Sequence, residues 1–192
     1  MKKLALLMFA AFIACLLQAC HSRTDSASGG EGDTTNITAD TAKHAEIIID
    51  KNDSKFVTDI AEACIAEIKV GNMAKQKGHD KRIKNFGAMM IKDLTKGKTK
   101  LATLAKTKKI ALPDSISTDD QKEIDDLAKK SGKDFDSAYL NKTRADHKKA
   151  LELFQNAAAH AYDKDIKSFA GKNMPNLKRH LDAIDAIQGS MK

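Results

Sequence analysis

The 192-residue chain has no Trp, two Pro, two Tyr and two Val. So few strand-favouring and turn-forming residues argue against a sheet protein. The sequence holds no glycine-rich phosphate loop, no nucleophile elbow and no Cys-x-x-Cys pair, which removes the commonest nucleotide, hydrolase and dithiol chemistries. Cysteine is also sparse: Cys15 and Cys20 lie in the leader region, so Cys64 stands alone in the body and no intrachain disulfide is available there. Cys64 sits in Ile60-Ala61-Glu62-Ala63-Cys64-Ile65 and reads as a small buried hydrophobe. What is abundant is Ala (28) and Lys (29), both good helix formers. With 31% charged against 42% hydrophobic residues, a polytopic membrane protein is excluded, and the expected class is all-α.

The chain opens with Lys2 and Lys3, followed by an apolar and small-residue run from Leu4 to Leu17. That run is shorter than the roughly 20 residues of a spanning helix and fits an export signal over residues 1–19. Leu17-Gln18-Ala19-Cys20 resembles a bacterial lipobox, with Cys20 as the lipidated residue. Phe12-Ile13-Ala14-Cys15 is a weaker second candidate, and a plain secretory signal ending near Ala19 is the alternative. His21, in place of an Asp, points to the outer membrane. From His21 to Lys43 the composition is Ser, Thr, Gly, Asp and Asn, too polar to offset the entropy of ordering. Residues 20–52 are therefore expected to be the lipidated Cys and a tether, the polar tract reaching about 25 Å as a flexible chain.

Residues 53–192 carry helical periodicity. The first helix is expected to start at an Asn52, Asp53 or Ser54 cap, bury Phe56, Val57, Ile60 and Cys64, and end near Gly78-His79-Asp80. The second runs from Asp80 to about Lys106, with Ile83, Phe86, Met90, Leu94, Leu101 and Leu104 in register. A shorter helix follows a Ser117 cap and stops at Ser131-Gly132. The fourth spans Asp134 to about Ala161 on Phe135, Tyr139, Thr143, His147 and Phe154. The fifth starts at Asp163 and carries Ile166, Phe169, Leu177, His180 and Ile184, with Pro175 expected to kink rather than end it. Four long helices with a short one in the central connection match an antiparallel four-helix bundle with one long crossover, the ferritin-like topology; an orthogonal helical fold is the competitor.

Several segments together resemble a bacterial exported family, the predicted ferritin-like "domain of unknown function 4142". They are Phe56 to Glu67, Phe86-Gly87-Ala88-Met89-Met90-Ile91-Lys92-Asp93, Phe135-Asp136-Ser137-Ala138-Tyr139-Leu140, Asp146-His147-Lys148-Lys149-Ala150 and Met174 to Leu181. The resemblance implies the fold over about residues 53–188 and no activity. Two departures stand out: Leu94 replaces the family's usual His after the second-helix Asp, and Cys64 replaces a usual Gly. The loss at Leu94 removes one inward-facing donor.

His147 and His180 fall on core-facing stripes, with Glu67 at the edge of the first helix's stripe and Asp93 and Asp146 beside the others. These five are the candidate ligands of a single transition-metal ion, whether iron, zinc, manganese or copper. A di-iron bundle needs Glu-x-x-His on two helices, and here Arg144 and Leu177 stand three residues before the histidines, so that signature is absent. The competing reading makes both histidines buried, hydrogen-bonded core residues. His21, His44, His79 and His160 read as surface or linker positions.

From His44 onward the chain holds 29 Lys plus Arg against 22 Asp plus Glu. The charge is spread along helical faces without interleaved aromatics, which argues against nucleic acid; solvated lysine faces are the plainest reading, and anionic lipid headgroups, envelope polysaccharide or an envelope protein are the partners such a surface could attract. The expected role is a non-catalytic, lipid-anchored envelope protein acting in binding or stress tolerance. The alternative is a metal-binding or redox protein with a degenerate site in the bundle interior.

Overall fold

A computed structural model describes residues 48–191; the leader, Cys20 and the polar tract lie outside the described residues. Five helices follow in order: α1 Lys51–Lys77, α2 Lys81–Thr107, α3 Thr118–Ala128, α4 Gly132–His160 and α5 Lys164–Ser190. Among the described residues there are no strands, and no helix is long and apolar enough to cross a membrane. The chain makes two long hairpins, α1–α2 and α4–α5, joined by the crossover that contains α3. The all-helical bundle expected from the periodicity is what forms.

The helix ends follow local chemistry. Asp80, Ser117 and Asp163 each place a side-chain oxygen against backbone N–H groups of the first turns of α2, α3 and α5. For α1 the cap is Asp50, whose Oδ1 accepts from the Asn52 N–H at 2.7 Å, not one of the expected trio Asn52, Asp53 and Ser54. Asp53 is engaged elsewhere. It is buried, and its two carboxylate oxygens accept from the Tyr162 N–H at 3.3 Å and the Asp163 N–H at 2.7 Å, across the α4–α5 turn. The converse bond exists as well: Asp136, fully buried near the start of α4, accepts from the His79 and Asp80 N–H groups of the α1–α2 turn at 2.9 and 2.8 Å. Each hairpin thus satisfies the orphan donors of the other's turn.

These crossed bonds expose an internal repeat that periodicity alone does not show. Laying Asp53 on Asp136 brings Phe56 onto Tyr139, Val57 onto Leu140, Asp80 onto Asp163, Ile83 onto Ile166 and Phe86 onto Phe169. All ten hold corresponding places in the two hairpins, and most are buried.

Packing is closest between α1 and α2. A Cβ on Gly87 would stand 2.7 Å from the Gly71 carbonyl oxygen and 2.9 Å from the Ala74 Cβ, so only glycine allows this approach. One core cluster gathers Phe56, Val57, Ile60, Leu101, Phe154 and Ile166, with Phe56 and Phe154 edge to face at 5.2 Å. The other holds Val70, Ile83, Met90, Phe135, Tyr139 and Ile184. α3 leans on α1 and α4 through Ile124 and Leu127, and the Ser117 N–H donates to Glu62 at 2.6 Å. α5 runs as one helix through Pro175, which sits on its exposed side, so the missing N–H costs the helix a bond without unpacking the core.

Candidate functional site

A cavity of about 100 Å³ lies among α1, α2, α4 and α5 at the middle of the bundle. Its apolar wall includes Ile60, Leu94, Leu101, Phe154, Phe169 and Leu177, and its polar wall is formed by Glu67, Asp93, Asp146, His147 and His180 with Asn173 and Asn176, and Cys64 beside them. All five residues singled out from the sequence therefore line one cavity. Leu94 occupies the wall next to Asp93, so a histidine there would have added a donor to this same space.

The histidines form the centre of a line of close polar contacts. His147 Nδ1 lies 2.9 Å from the Thr143 carbonyl oxygen, one turn back on α4. Its Nε2 lies 3.2 Å from His180 Nδ1 on α5, and His180 Nε2 lies 3.3 Å from Asp93 Oδ2 on α2. Arg179 also donates to that Asp93 oxygen, at 2.8 Å. Burial, and then the neighbouring His180, push His147 down to about 4. Burial likewise lowers His180, with the bond to Asp93 opposing it. Asp93 loses some solvation, yet its bond to His180 and the charge of Arg179 outweigh that and hold its carboxyl below the usual range.

The acidic side of the cavity behaves differently. Glu67 is buried at 6% exposure, and its Oε1 has no hydrogen-bond partner. Burial first, then the hydrogen bond and charge of Asp146, raise it well above the ordinary carboxylate value, against a smaller opposing pull from Lys142. Asp146 itself is drawn toward Lys142, whose Nζ stands 3.1 Å from one oxygen and also pairs with Glu123 at 2.6 Å. Burial and the nearby Glu67 push the Cys64 thiol up to about 11, which keeps it protonated and unreactive at neutral pH.

Of the three candidate carboxylates, two are thus committed to cations and only Glu67 has a free buried oxygen. Among the described residues, no three His, Cys, Asp or Glu side chains close on one point as a metal cage. The facing pair of ring nitrogens is the strongest donor arrangement the site offers. Thr143, Lys142 and Arg179 complete the network; sequence reasoning did not assign them, because the i−4 carbonyl and the cross-helix cations become visible only once the helices have neighbours.

The remaining polar wall carries the mark of the internal repeat. In the same register, Asp146 falls on Ala63, His147 on Cys64, Glu67 on Ala150, Asp93 on Asn176 and His180 on Gly97, and all ten residues line the cavity. The cavity straddles the junction of the two halves, and wherever one half supplies a charged or imidazole side chain the equivalent position of the other holds a small or neutral one.

The fold is shared with a solved protein. A crystal structure of a DUF305 fragment from Deinococcus radiodurans matches with a TM-score of 0.66 at 8% identity, covering 74% of this chain and 98% of that one. At that identity the likeness concerns the fold alone. No curated protein matches the chain. A family model described as a domain of unknown function, DUF4142, matches residues 38–187, which takes in the whole of the cavity wall and both hairpin turns, and the chain belongs to that family.

Proposed function

We propose that the protein is a non-catalytic binding protein of the cell envelope, anchored by lipid at Cys20, whose ligand occupies the cavity between the two hairpins. The observation that carries this reading is the gathering of Glu67, Asp93, Asp146, His147 and His180, one of them with an unpaired buried oxygen, on the wall of a single cavity whose remaining lining is mainly apolar. Isolated buried polar atoms are costly, and their concentration at one cavity fits a binding site better than a stability device. The network also contains no activated nucleophile: Cys64 is held as a thiol, and Thr143 lies behind His147 as a backbone acceptor. The lipobox-like Leu17-Gln18-Ala19-Cys20 and the polar tract after it support the anchoring, and the basic surface suits anionic headgroups or polysaccharide nearby.

Two experiments test it. Cys20→Ser should move the protein from the membrane to the soluble fraction of the envelope, and unchanged membrane association would remove the anchor. Gly97 lines the cavity, and a Cβ there would meet nothing within 4 Å. Gly97→Leu should therefore fill the site without unfolding the bundle, and native mass spectrometry should show a bound mass on the natural chain that the variant lacks. A natural chain carrying nothing would end this reading.

A second reading, in which the cavity holds a transition-metal ion, rests on the facing ring nitrogens of His147 and His180.

A further inference from the structure

The two outer partners of the histidine pair fix where its protons sit. The Thr143 carbonyl can only accept, so His147 carries its hydrogen on Nδ1 and keeps the Nε2 lone pair free. An ionised Asp93 can likewise only accept, so His180 carries its hydrogen on Nε2 and keeps the Nδ1 lone pair free. The two nitrogens left bare face each other at 3.2 Å. Two neutral imidazoles in these tautomers cannot hydrogen-bond to one another, and their lone pairs repel across a buried gap. Such an arrangement is stable when a cation lies between them.

We propose that His147 Nε2 and His180 Nδ1 are ligands of one divalent first-row transition-metal ion and that Glu67 supplies the carboxylate ligand, an assignment that rests on the second reading above. With nitrogen-to-metal bonds of about 2.0 to 2.1 Å, a nitrogen separation of 3.2 Å corresponds to a ligand–metal–ligand angle of roughly 100°, close to tetrahedral. The surrounding bonds have the pattern found around metal-bound histidines, where the second ring nitrogen donates to a carboxylate or a backbone carbonyl. One histidine here does each. Asp93 and Asp146 are held by Arg179 and Lys142, while Glu67 has an unpaired, buried Oε1 on the same cavity wall. Because no three donors converge in the described arrangement, binding requires the Glu67 carboxylate to leave Asp146 and turn toward the pair. Two imidazoles and one carboxylate suit zinc, cobalt, iron or copper in the divalent state, with a coordination position left for water.

The test uses the full chain, purified without an affinity tag, stripped with a chelator and titrated with Co²⁺, with Zn²⁺ then added as competitor. The expected result is one Co²⁺ per chain with the intense visible bands of a tetrahedral site and no thiolate-to-cobalt band in the near ultraviolet. His147→Ala and His180→Ala should each weaken binding by about 100-fold or more, and Asp93→Asn by about 10- to 100-fold. His160→Ala should leave it unchanged, and circular dichroism confirms that each variant keeps its helices. Absence of Co²⁺ uptake by the folded natural chain, or uptake that survives loss of both histidines, overturns the assignment. Unchanged affinity in Glu67→Gln overturns the role given to that carboxylate. A chain that takes no metal but still carries a bound mass sensitive to Gly97→Leu overturns the metal site alone and leaves the binding function standing.

Discussion

The α1–α2 and α4–α5 hairpins share a scaffold and divide the chemistry. Each is closed by an Asp-capped turn, each has its turn bound by a carboxylate of the other, and each places a hydrophobic stripe in the common core. Yet the first hairpin supplies the acids Glu67 and Asp93 to the cavity, and the second supplies both imidazoles and Asp146. At corresponding places the first offers Cys64 and Gly97, and the second offers Ala150 and Asn176. A repeated scaffold has kept its packing and separated its ionisable groups, so that the complete set occurs once, across the junction.

The comparison is broken most severely at the interhelical contact where the hairpins differ. Gly87 corresponds to Ala170, and only the first hairpin has its helices too close for a methyl group. Gly87→Ala should cost about 3 kcal/mol or more by overpacking, whereas Ala170→Gly should cost about 1 kcal/mol. Urea unfolding of both variants measures the difference, and equal losses would remove the claimed asymmetry.

The crossed carboxylates come next. Asp136→Ala strands two backbone donors of the α1–α2 turn and should destabilise by about 3 kcal/mol. Asp53→Ala should cost somewhat less, since one of its two bonds is longer, at 3.3 Å. Hydrogen exchange offers a sharper reading: each variant should expose the amides of the opposite hairpin's turn, not those of its own.

A third prediction concerns pH in the metal-free protein. His147, at about 4 when folded, lies below its ordinary 6.5, so between those values only the unfolded chain takes up the proton. Its contribution is complete above pH 6.5 and is lost as pH falls, by about 2 kcal/mol near pH 5. Glu67 is raised, so its contribution is complete below its ordinary 4.5 and is lost as pH rises through the folded value. His147→Gln should therefore flatten the acid limb of the stability profile. Glu67→Gln should gain most over the natural chain at alkaline pH and lose that advantage near pH 4.5. Parallel profiles for both variants and the natural chain would contradict the opposed signs.

The smallest effect is expected on the surface. The Lys55–Asp59 pair joins largely exposed groups at 2.8 Å, and Lys55→Ala should change stability by less than about 0.5 kcal/mol.

Much of this architecture is legible in the residues. Asp80, Ser117 and Asp163 announce helix starts by their chemistry, and the stripe from Ile83 to Leu101 follows the core because helical geometry fixes which side chains share a face. The five candidate residues could be named for the same reason. Their partners could not, because periodicity gives a face and not its neighbour: nothing local shows that Arg179 holds Asp93, or that Lys142 draws Asp146 outward. The α1 cap is Asp50 and not one of Asn52, Asp53 and Ser54, because all of these have capping chemistry and a contact more than a hundred residues away takes Asp53. The repeat stayed hidden because the halves agree in size and burial, while their cavity-lining identities have diverged.

The exchange of carboxylates between the hairpins has a consequence for how the chain becomes folded. In a lone hairpin these turn amides bond to water, and only docking of the other half brings the carboxylate that replaces it. The two halves are thereby made mutually dependent, and docking and turn closure become a single cooperative event. A cavity built at their junction then comes into being only when both halves are present.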